Sequence, residues 1–244
     1  MPELHNTIAV EYLQKSSLDR VTIKSHKRPD IAATARYKTY PEAEKITLPV
    51  DWRLQEARIL PLLQKRRSRR NYAEASLELR ELAFLLWAAQ GITAKMGDHF
   101  LRTSPSAGAL YPIETYVVVE SIEGLPAGLY HFDVENFQLE RLSPEVKGKD
   151  AAHVCLDQDF VAQASLTFFW TVVLRRSMAK YGERGFRYLF LDAGHICQNA
   201  LLAAEAIGCG GCPIAAFYDQ EANSLLGVDG KNEAVIYAAS IGRK

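Results

Sequence analysis

The sequence has no net charge, and this absence limits the partners that we expect. Lysine and arginine number 29, aspartate and glutamate also number 29, and the pI is about 7.0. A dedicated nucleic-acid binder carries a strongly basic face, so we expect no nucleic-acid partner. No stretch approaches the roughly 18 apolar residues that predict a transmembrane helix, and residues 1–13 lack a signal-peptide pattern. We therefore expect a cytoplasmic protein without a membrane partner.

Cysteine is also scarce. Four cysteines in 244 residues are too few and too unevenly spaced for a disulfide framework. Two of them frame the sequence Cys209-Gly210-Gly211-Cys212, which follows the predicted end of a helix, where the helix dipole raises a thiol pKa instead of lowering it. We interpret the two glycines as a place of close backbone approach and not as part of a redox centre. Because no second ligand pair exists, no metal site is predicted.

A dinucleotide fingerprint of the G-x-G-x-x-G kind is missing as well. The residues therefore do not identify a dinucleotide ligand. What remains is an ordinary globular composition, 48% hydrophobic and 24% charged with 15 glycines, which suits one large or two small domains.

The most distinctive feature that is present is the basic segment, residues 65–70. Five of its six residues are cationic and one carries a hydroxyl: Lys65, Arg66, Arg67, Ser68, Arg69 and Arg70. Arginine forks match phosphate oxygens, and a serine hydroxyl adds a neutral donor. The positive charge is local, which suits one bound anion such as the phosphate of a mononucleotide. A solvated basic turn and a nucleic-acid patch remain alternatives for this segment taken alone.

The spacing of apolar residues predicts both helices and strands. Helices are predicted from residue 54 to the basic segment, from an N-cap at Ser76 to a stop at Gly91, over 146–164 around Gln158, and over 186–207. Strands are predicted over 113–120, 166–174 and 234–240, and over 128–132 and 137–141 as a hairpin. Residues 1–50 lack a periodic core face, and we expect an arm that packs on the body or on a partner subunit.

Two short stretches and one histidine are further candidates. The small-residue run from Pro105 to Pro112 leads into a predicted strand, so a flat ligand can lie against its backbone, although a plain loop is the alternative. Lys180 and Tyr181 follow a buried strand, where an ammonium favours the neighbouring phenolate and the two can act as an acid/base pair, although such dipeptides are common. On the polar face of the 186–207 helix, His195 could bond Asp192 or Asn199, and we favour a structural histidine over a ligand.

These features, in this order, resemble the FMN-dependent nitroreductase family over residues 54–243. The resemblance rests on the Arg-Arg-Ser-x-Arg turn after a helix, the small-residue run before a strand, and the long alanine-rich helix before a glycine-rich segment. Residues 105–112, 180–182 and 187–199 look more like the SagB-type dehydrogenase branch, which includes flavoproteins that oxidise azolines to azoles in peptide natural products.

The resemblance implies an α+β fold with a mixed β-sheet wrapped by helices. It also implies a homodimer with two FMN sites built at the subunit interface. Residues 1–50 would then be an N-terminal arm, and residues 51–244 the nitroreductase-like FMN-binding domain.

The resemblance also implies roles for single residues. The phosphate and ribityl contacts correspond to Arg66, Arg67, Ser68 and Arg70. The segment that the partner subunit lays against the flavin corresponds to Pro105, Ser106, Ala107, Gly108 and Ala109. The loop beside the isoalloxazine corresponds to Ile214, Ala215 and Ala216, where Ala216 departs from a frequent glycine. Arg243 matches a terminal phosphate contact loosely, and Gln158 is a weaker candidate. Lys180 and Tyr181 match a pair that removes a proton while hydride leaves to the flavin.

Three functions are open at this point. The first is an FMN oxidoreductase that uses NAD(P)H to reduce nitro, quinone or related small acceptors. The second is a SagB-type dehydrogenase that oxidises azoline heterocycles in a peptide-derived substrate. The third is a flavin-binding or structural dimer without turnover.

Overall fold

A computed structural model of the chain describes residues 7–20, 29–52, 57–97 and 99–244. Its strands are Glu44–Thr47 (β1), Leu77–Glu78 (β2), Ile92–Met96 (β3), His99–Arg102 (β4), Ile113–Val119 (β5), Ile122–Glu123 (β6), Gly128–Asp133 (β7), Gln138–Ser143 (β8), Leu166–Val173 (β9), Cys209–Ile214 (β10) and Glu233–Arg243 (β11). Its helices are Ile8–Lys15 (α1), Ile59–Lys65 (α2), Leu79–Gln90 (α3), Gly148–Val154 (α4), Asp159–Ala162 (α5), Leu174–Tyr181 (α6), Gly185–Ala206 (α7) and Asp219–Leu226 (α8), with 3-10 turns at Ala107–Ala109 and Gly182–Arg184. None of the helices in these ranges is both long and apolar enough to cross a bilayer.

The centre of the fold is a seven-stranded sheet in the order β1-β8-β7-β5-β9-β11-β10. All six neighbouring pairs are antiparallel, and the parallel pairing described is the short β2–β6 pair. Helices and sheet together confirm the α+β fold that the resemblance implies. The expected mixed sheet is corrected in one respect, because the main sheet among the described residues is antiparallel throughout. The 128–141 hairpin and the 113–120, 166–174 and 234–240 strands are all present, the last three with ends shifted by one to three residues.

Helices cover both faces of this sheet. The larger core cluster joins one face to buried residues of α3 and α7, and the second cluster joins the other face to α4 and α8. In β9, Phe168 and Trp170 belong to the first cluster and Phe169 to the second. Burial on both faces is why this strand is apolar along almost its whole length instead of alternating.

The start of α3 differs from the prediction. Glu78 and not Ser76 is its N-cap, in a capping box with Glu81, whose Oε2 accepts from the Glu78 amide at 2.8 Å. The reason is that Leu77 and Glu78 are held extended by pairing with β6, which delays the helix. The Ser76 hydroxyl bonds the Ser121 hydroxyl at 2.5 Å instead.

The helix predicted over 146–164 is two helices. Leu156 and Asp157 adopt positive φ angles of 58° and 54° between α4 and α5, a conformation that a right-handed helix does not contain. Gln158 is the N-cap residue of α5, and its side-chain amide donates to the Cys155 carbonyl at 2.6 Å. The Gln158 side-chain amide is therefore hydrogen-bonded within the turn that joins α4 to α5.

The described part of the arm contacts the body at several places. Strand β1 pairs with β8 at one edge of the main sheet. Lys38 forms an ion pair with Glu233 at 2.6 Å, and the Tyr40 amide donates to Glu140 at 2.9 Å.

Candidate active site

The basic segment lies along the free edge of β10. Helix α2 ends at Lys65, and Arg66 is its C-cap residue. Ser68 forms a parallel bridge with Gly211, and the Arg69 amide donates to the Gly211 carbonyl at 3.0 Å. A methyl group at Gly210 would lie 2.7 Å from Arg69 Cδ, closer than atoms can approach. The interpretation of these glycines as a place of close approach is confirmed.

In the part of the chain that the structure describes, no carboxylate compensates the charge of the basic segment. Among the described residues, no carboxylate lies within 4.0 Å of a charged group of Lys65, Arg66, Arg67, Arg69 or Arg70. All are exposed except Arg66, which is partly buried. The backbone is nevertheless fixed, because the Tyr72 hydroxyl bonds the Arg69 carbonyl at 2.9 Å and the Ser240 hydroxyl at 2.8 Å. Arg67 Nη1 donates to the Gln64 and Arg66 carbonyls, at 3.1 and 2.7 Å. A fixed turn whose cations lack carboxylate partners among the described residues is suited to binding an anion.

Arg243 has a protein partner. Its Nη2 lies 2.6 Å from Glu81 Oε2, and its Nη1 donates to the Ile207 carbonyl at 3.2 Å. Its backbone carbonyl accepts from the Ala73 amide at 3.0 Å, three residues beyond the basic segment. Arg243 is therefore close to the segment in the fold, but its side chain is shared with a carboxylate.

The cysteines near the segment are buried thiols. Cys209 and Cys212 lie on β10 and not at a helix N-terminus. Burial raises the pKa of Cys209 to about 11, with Arg243 opposing the rise, and it raises the pKa of Cys212 against the effect of Arg70. In the described ranges, no group of three or more histidine, cysteine, aspartate or glutamate side chains is arranged so that it could hold a metal ion.

The small-residue run is held in a strained conformation. Gly108, Ala109 and Tyr111 have φ angles of +64°, +53° and +46°, and the left-handed region costs a non-glycine residue roughly 1–2 kcal/mol. Asp192 of α7 holds the run, because Ser106 Oγ donates to its Oδ2 at 2.6 Å and the Ala107 amide to its Oδ1 at 3.4 Å. Burial raises the pKa of Asp192, and the Ser106 hydrogen bond opposes the rise. Strain that the surroundings maintain is a common mark of functional sites.

Lys180 and Tyr181 meet this run. A methyl group at Gly108 would lie 2.3 Å from Tyr181 Oη and 2.6 Å from Lys180 Nζ. The two polar atoms therefore converge on the Gly108 backbone and are no more than about 5 Å from each other. The structure thus brings both predicted catalytic residues to the predicted flavin-contacting segment.

A buried ion network that was not predicted from the sequence connects the small-residue run to α6, the helix that ends with Lys180 and Tyr181. Arg176 on α6 lies 2.6 Å from Glu114 on β5, and it donates to the Tyr111 carbonyl at 3.3 Å and the Ala35 carbonyl at 2.9 Å. Burial opposes ionisation of Glu114, but the charges of Arg176 and His131 outweigh it and lower its pKa to about 2. The signal in the sequence was a lone glutamate in the apolar strand 113–119.

His131 and Glu140 extend this network. The His131 ring lies 3.2 Å from Glu114 and 2.8 Å from Glu140. Burial would lower the pKa of His131, but the hydrogen bonds to Glu114 and Glu140 raise it above its usual value.

The expectation for His195 is wrong. His195 is exposed, and the polar side chains beside it bond the small-residue run instead. Asp192 holds Ser106, and Asn199 Nδ2 donates to Ser104 Oγ at 3.0 Å. Helical spacing identified the polar face of α7 but not the loop that lies on it.

The predicted cofactor residues form two groups in one chain. The basic segment lies on β10, and Ile214, Ala215 and Ala216 lie at and beyond its end, the last two exposed. The other group is residues 105–109 with Lys180 and Tyr181. Helix α7 separates them, since Asp192 contacts the second group and Leu201 packs on Gly211 in the first. Asp192 and Leu201 are nine positions apart on α7, about two and a half turns, so their side chains face opposite sides of the helix.

The chain is similar to a known protein family, to individual proteins and to solved structures. The model of the nitroreductase family matches residues 63–243. A candidate nitroreductase of Methanocaldococcus jannaschii is 37% identical over 191 residues, 78% of this chain and 93% of that protein. The trifolitoxin-processing protein TfxB of Rhizobium leguminosarum is 36% identical over 143 residues, 55% of this chain and 38% of TfxB. The crystal structure of a candidate nitroreductase from Anabaena variabilis matches 91% of this chain and 46% of its own, with a TM-score of 0.70 and 30% identity.

Proposed function

The chain belongs to the nitroreductase family, and we propose that it is an FMN-dependent oxidoreductase in which Lys180 and Tyr181 move a proton of the substrate. The observation that supports this most strongly is the convergence of Lys180 Nζ and Tyr181 Oη on the Gly108 backbone. A general acid/base group must lie within hydrogen-bond reach of the proton that it moves. Lys180 Nζ and Tyr181 Oη would both meet this requirement for a ligand that lies against the Gly108 backbone.

The basic segment fits the phosphate of FMN. Arg66, Arg67, Ser68 and Arg70 offer donors on a fixed turn, and among the described residues no carboxylate competes for the arginines. Arg243 lies near the segment, but its charge is offset by Glu81, so in this proposal it is a weaker phosphate contact than the residues of the turn. The exposed residues Ala215 and Ala216 would hold the ring side of the cofactor with Ile214. When bound, FMN accepts a hydride from one substrate and delivers it to another.

We also propose that the working form is a homodimer. Residues 105–109 and the basic segment lie on opposite sides of α7 in one chain. A single flavin that contacts both groups then takes the basic segment from one protomer and the small-residue run, with Lys180 and Tyr181, from its partner.

The proton-moving pair favours a dehydrogenase acting on an azoline in a peptide-derived substrate. Oxidising such a ring removes a proton as well as a hydride, so a protein base is useful. In this reading the Lys180 ammonium stabilises the phenolate form of Tyr181, and Tyr181 Oη takes the proton from the ring carbon and becomes a neutral phenol while the hydride leaves to the flavin. The similarity to a trifolitoxin-processing protein over 143 residues supports the same reading.

The second candidate is an NAD(P)H-dependent reductase of nitro, quinone or related small acceptors. The similarity to a candidate nitroreductase over 93% of that protein's length favours it. In this reading, Lys180 and Tyr181 have no essential proton to move.

Anaerobic reduction of the bound flavin separates the two candidates. We expect the protein, loaded with FMN, to lose its flavin absorbance with a thiazoline-bearing peptide if it is the dehydrogenase, and with NADPH or NADH if it is the reductase. Lys180→Ala and Tyr181→Phe should each slow the peptide reaction about 100-fold or more and leave FMN bound. Full activity in both variants would contradict the role of the pair, and a chain that cannot bind FMN would contradict the function as a whole.

A further inference from the structure

Helix α1, which precedes the part of the chain that the family model matches, is docked on the start of α7 by two arginines. Arg187 donates from Nη2 to the Leu13 carbonyl at 2.6 Å and to Ser16 Oγ at 2.6 Å. Arg184 donates from Nη1 to the Ser16 carbonyl at 2.7 Å. These acceptors lie at the C-terminal end of α1, where carbonyls lack helical partners and the dipole favours cations. The arginines therefore fix the end of α1 in place.

From Arg184 a continuous set of contacts leads to Tyr181. Arg184 Nε donates to the Tyr188 hydroxyl at 3.0 Å. The Tyr188 ring then packs edge-on against the Tyr181 ring, with centroids 5.1 Å apart and an angle of 82° between the planes. Edge-to-face packing is the favoured geometry of an aromatic pair. Tyr188 thus forms a wall that limits where the Tyr181 ring can point.

Tyr181 needs such support because of its place in the chain. It is the last residue of α6, and Gly182, with φ +56°, immediately turns the chain away. Two more arm contacts close this turn. The Tyr12 hydroxyl donates to the Glu183 carbonyl at 3.1 Å, and a methyl group at Gly182 would lie 3.2 Å from Pro29 Cγ. The turn after Tyr181 is therefore contacted by the arm at two points.

We propose that α1, Arg184 and Tyr188 position the Tyr181 hydroxyl at Gly108 for proton transfer. This inference rests on the proposed role of Lys180 and Tyr181. Arg184 and Tyr188 are positioning residues, since they act through Tyr181, and α1 acts by fixing Arg184. The N-terminal arm is thereby a working part of the active site.

A double-mutant cycle tests the coupling in the full-length, FMN-loaded protein with a thiazoline-bearing peptide. Arg184→Gln should lower kcat about tenfold with KM unchanged, because the substrate is still bound but the base is displaced. In a Tyr181→Phe background, Arg184→Gln should have no further effect. Tyr188→Phe, which keeps the ring, should retain more activity than Tyr188→Leu. Arg175→Gln, an exposed arginine on α6, is the matched control and should leave kcat unchanged.

Hydrogen exchange measured by mass spectrometry gives a readout that does not depend on turnover. In Arg184→Gln, amides of residues 180–188 should exchange at least about threefold faster, which corresponds to a small loss of local stability, while those of 166–173 should be unchanged. Unchanged exchange over 180–188, or an equal kcat loss in the Tyr181→Phe background, would overturn the inference. If Tyr181→Phe alone keeps full turnover, the proposed proton transfer is wrong, and the exchange rates still decide whether the arm supports the turn.

Discussion

Two groups of charged side chains in this molecule differ in how their charge is balanced. Along β10, the cations of the basic segment have no carboxylate partner among the described residues and stand largely in solvent. Beneath Tyr111, Arg176, Glu114, His131 and Glu140 are buried, and each lies beside an opposite charge. Burying a charge is expensive unless it is paired, so the buried network must be complete in the protein itself. The exposed cations of the basic segment are solvated by water, so they need no protein partner and can bind an anionic ligand.

The difference indicates which charged side chains stabilise the fold around the site and which are available to bind a ligand. Removing a member of the buried network should damage folding first, whereas removing a cation of the basic segment should damage ligand binding and leave folding intact.

Arg176→Met should have the largest effect, because it leaves Glu114 buried without its ion-pair partner. We expect the free energy of unfolding to fall by about 3–5 kcal/mol, measured by urea denaturation. Arg175→Met is the matched control, since Arg175 is the exposed neighbour on the same helix, and it should change stability by less than about 0.5 kcal/mol. Equal effects of the two substitutions would erase the distinction between buried and exposed cations.

Gly108→Ala should come next, and it should reduce turnover about 100-fold or more. The added methyl group would overlap Tyr181 Oη and Lys180 Nζ, at 2.3 and 2.6 Å, so the pair must move. Gly194→Ala on α7, where a methyl group meets nothing within 4 Å, is the control, with unchanged kcat. Normal turnover in Gly108→Ala would show that the convergence on Gly108 has no catalytic meaning.

Asp192→Ala should have a smaller effect on stability, about 1–3 kcal/mol, since it leaves the Ser106 hydroxyl and the Ala107 amide without their acceptor. Turnover should fall as well, because the small-residue run loses its attachment to α7. His195→Ala, three residues away and exposed, should change neither quantity. Thermal unfolding and kcat, measured on both variants, check this directly, and a loss in His195→Ala equal to that in Asp192→Ala would contradict the assignment.

The buried carboxylates Glu114 and Glu140 should make the stability of the fold depend on pH. The pKa values of Glu114 and Glu140 are lowered to about 2 from the usual 4.5, so their ionised forms stabilise the fold above pH 4.5. That stabilisation is lost as the pH falls from 4.5 towards 2. Urea unfolding at several pH values should show this decline, with a shallower slope in Glu114→Gln. The same slope in both proteins would mean that Glu114 is not ionised in the fold.

Local patterns in the sequence predicted much of the fold and part of the site. The apolar run of β9 and the long periodic α7 are recognisable because each is repetitive along the chain. Arg66 to Arg70 are recognisable because their charges are nearly consecutive in the sequence. Glu114 and Arg176 were not predicted, since their partners are distant in sequence and only the packing of α6 on the sheet brings them together. The failure at Ser76 has the same origin, because the β2–β6 pairing that delays α3 is a tertiary contact.

The central claim is that the basic segment holds the phosphate of FMN, and a titration of the apoprotein with FMN and with riboflavin, which lacks the phosphate, tests it most directly. For the combined Arg66→Gln, Arg67→Gln and Arg70→Gln variant, we expect the Kd of FMN to rise at least about 100-fold, with the Kd of riboflavin nearly unchanged. Lys65→Gln should leave both values close to those of the unaltered protein. A variant that binds FMN as tightly as before, or that loses both flavins equally, would contradict the assignment.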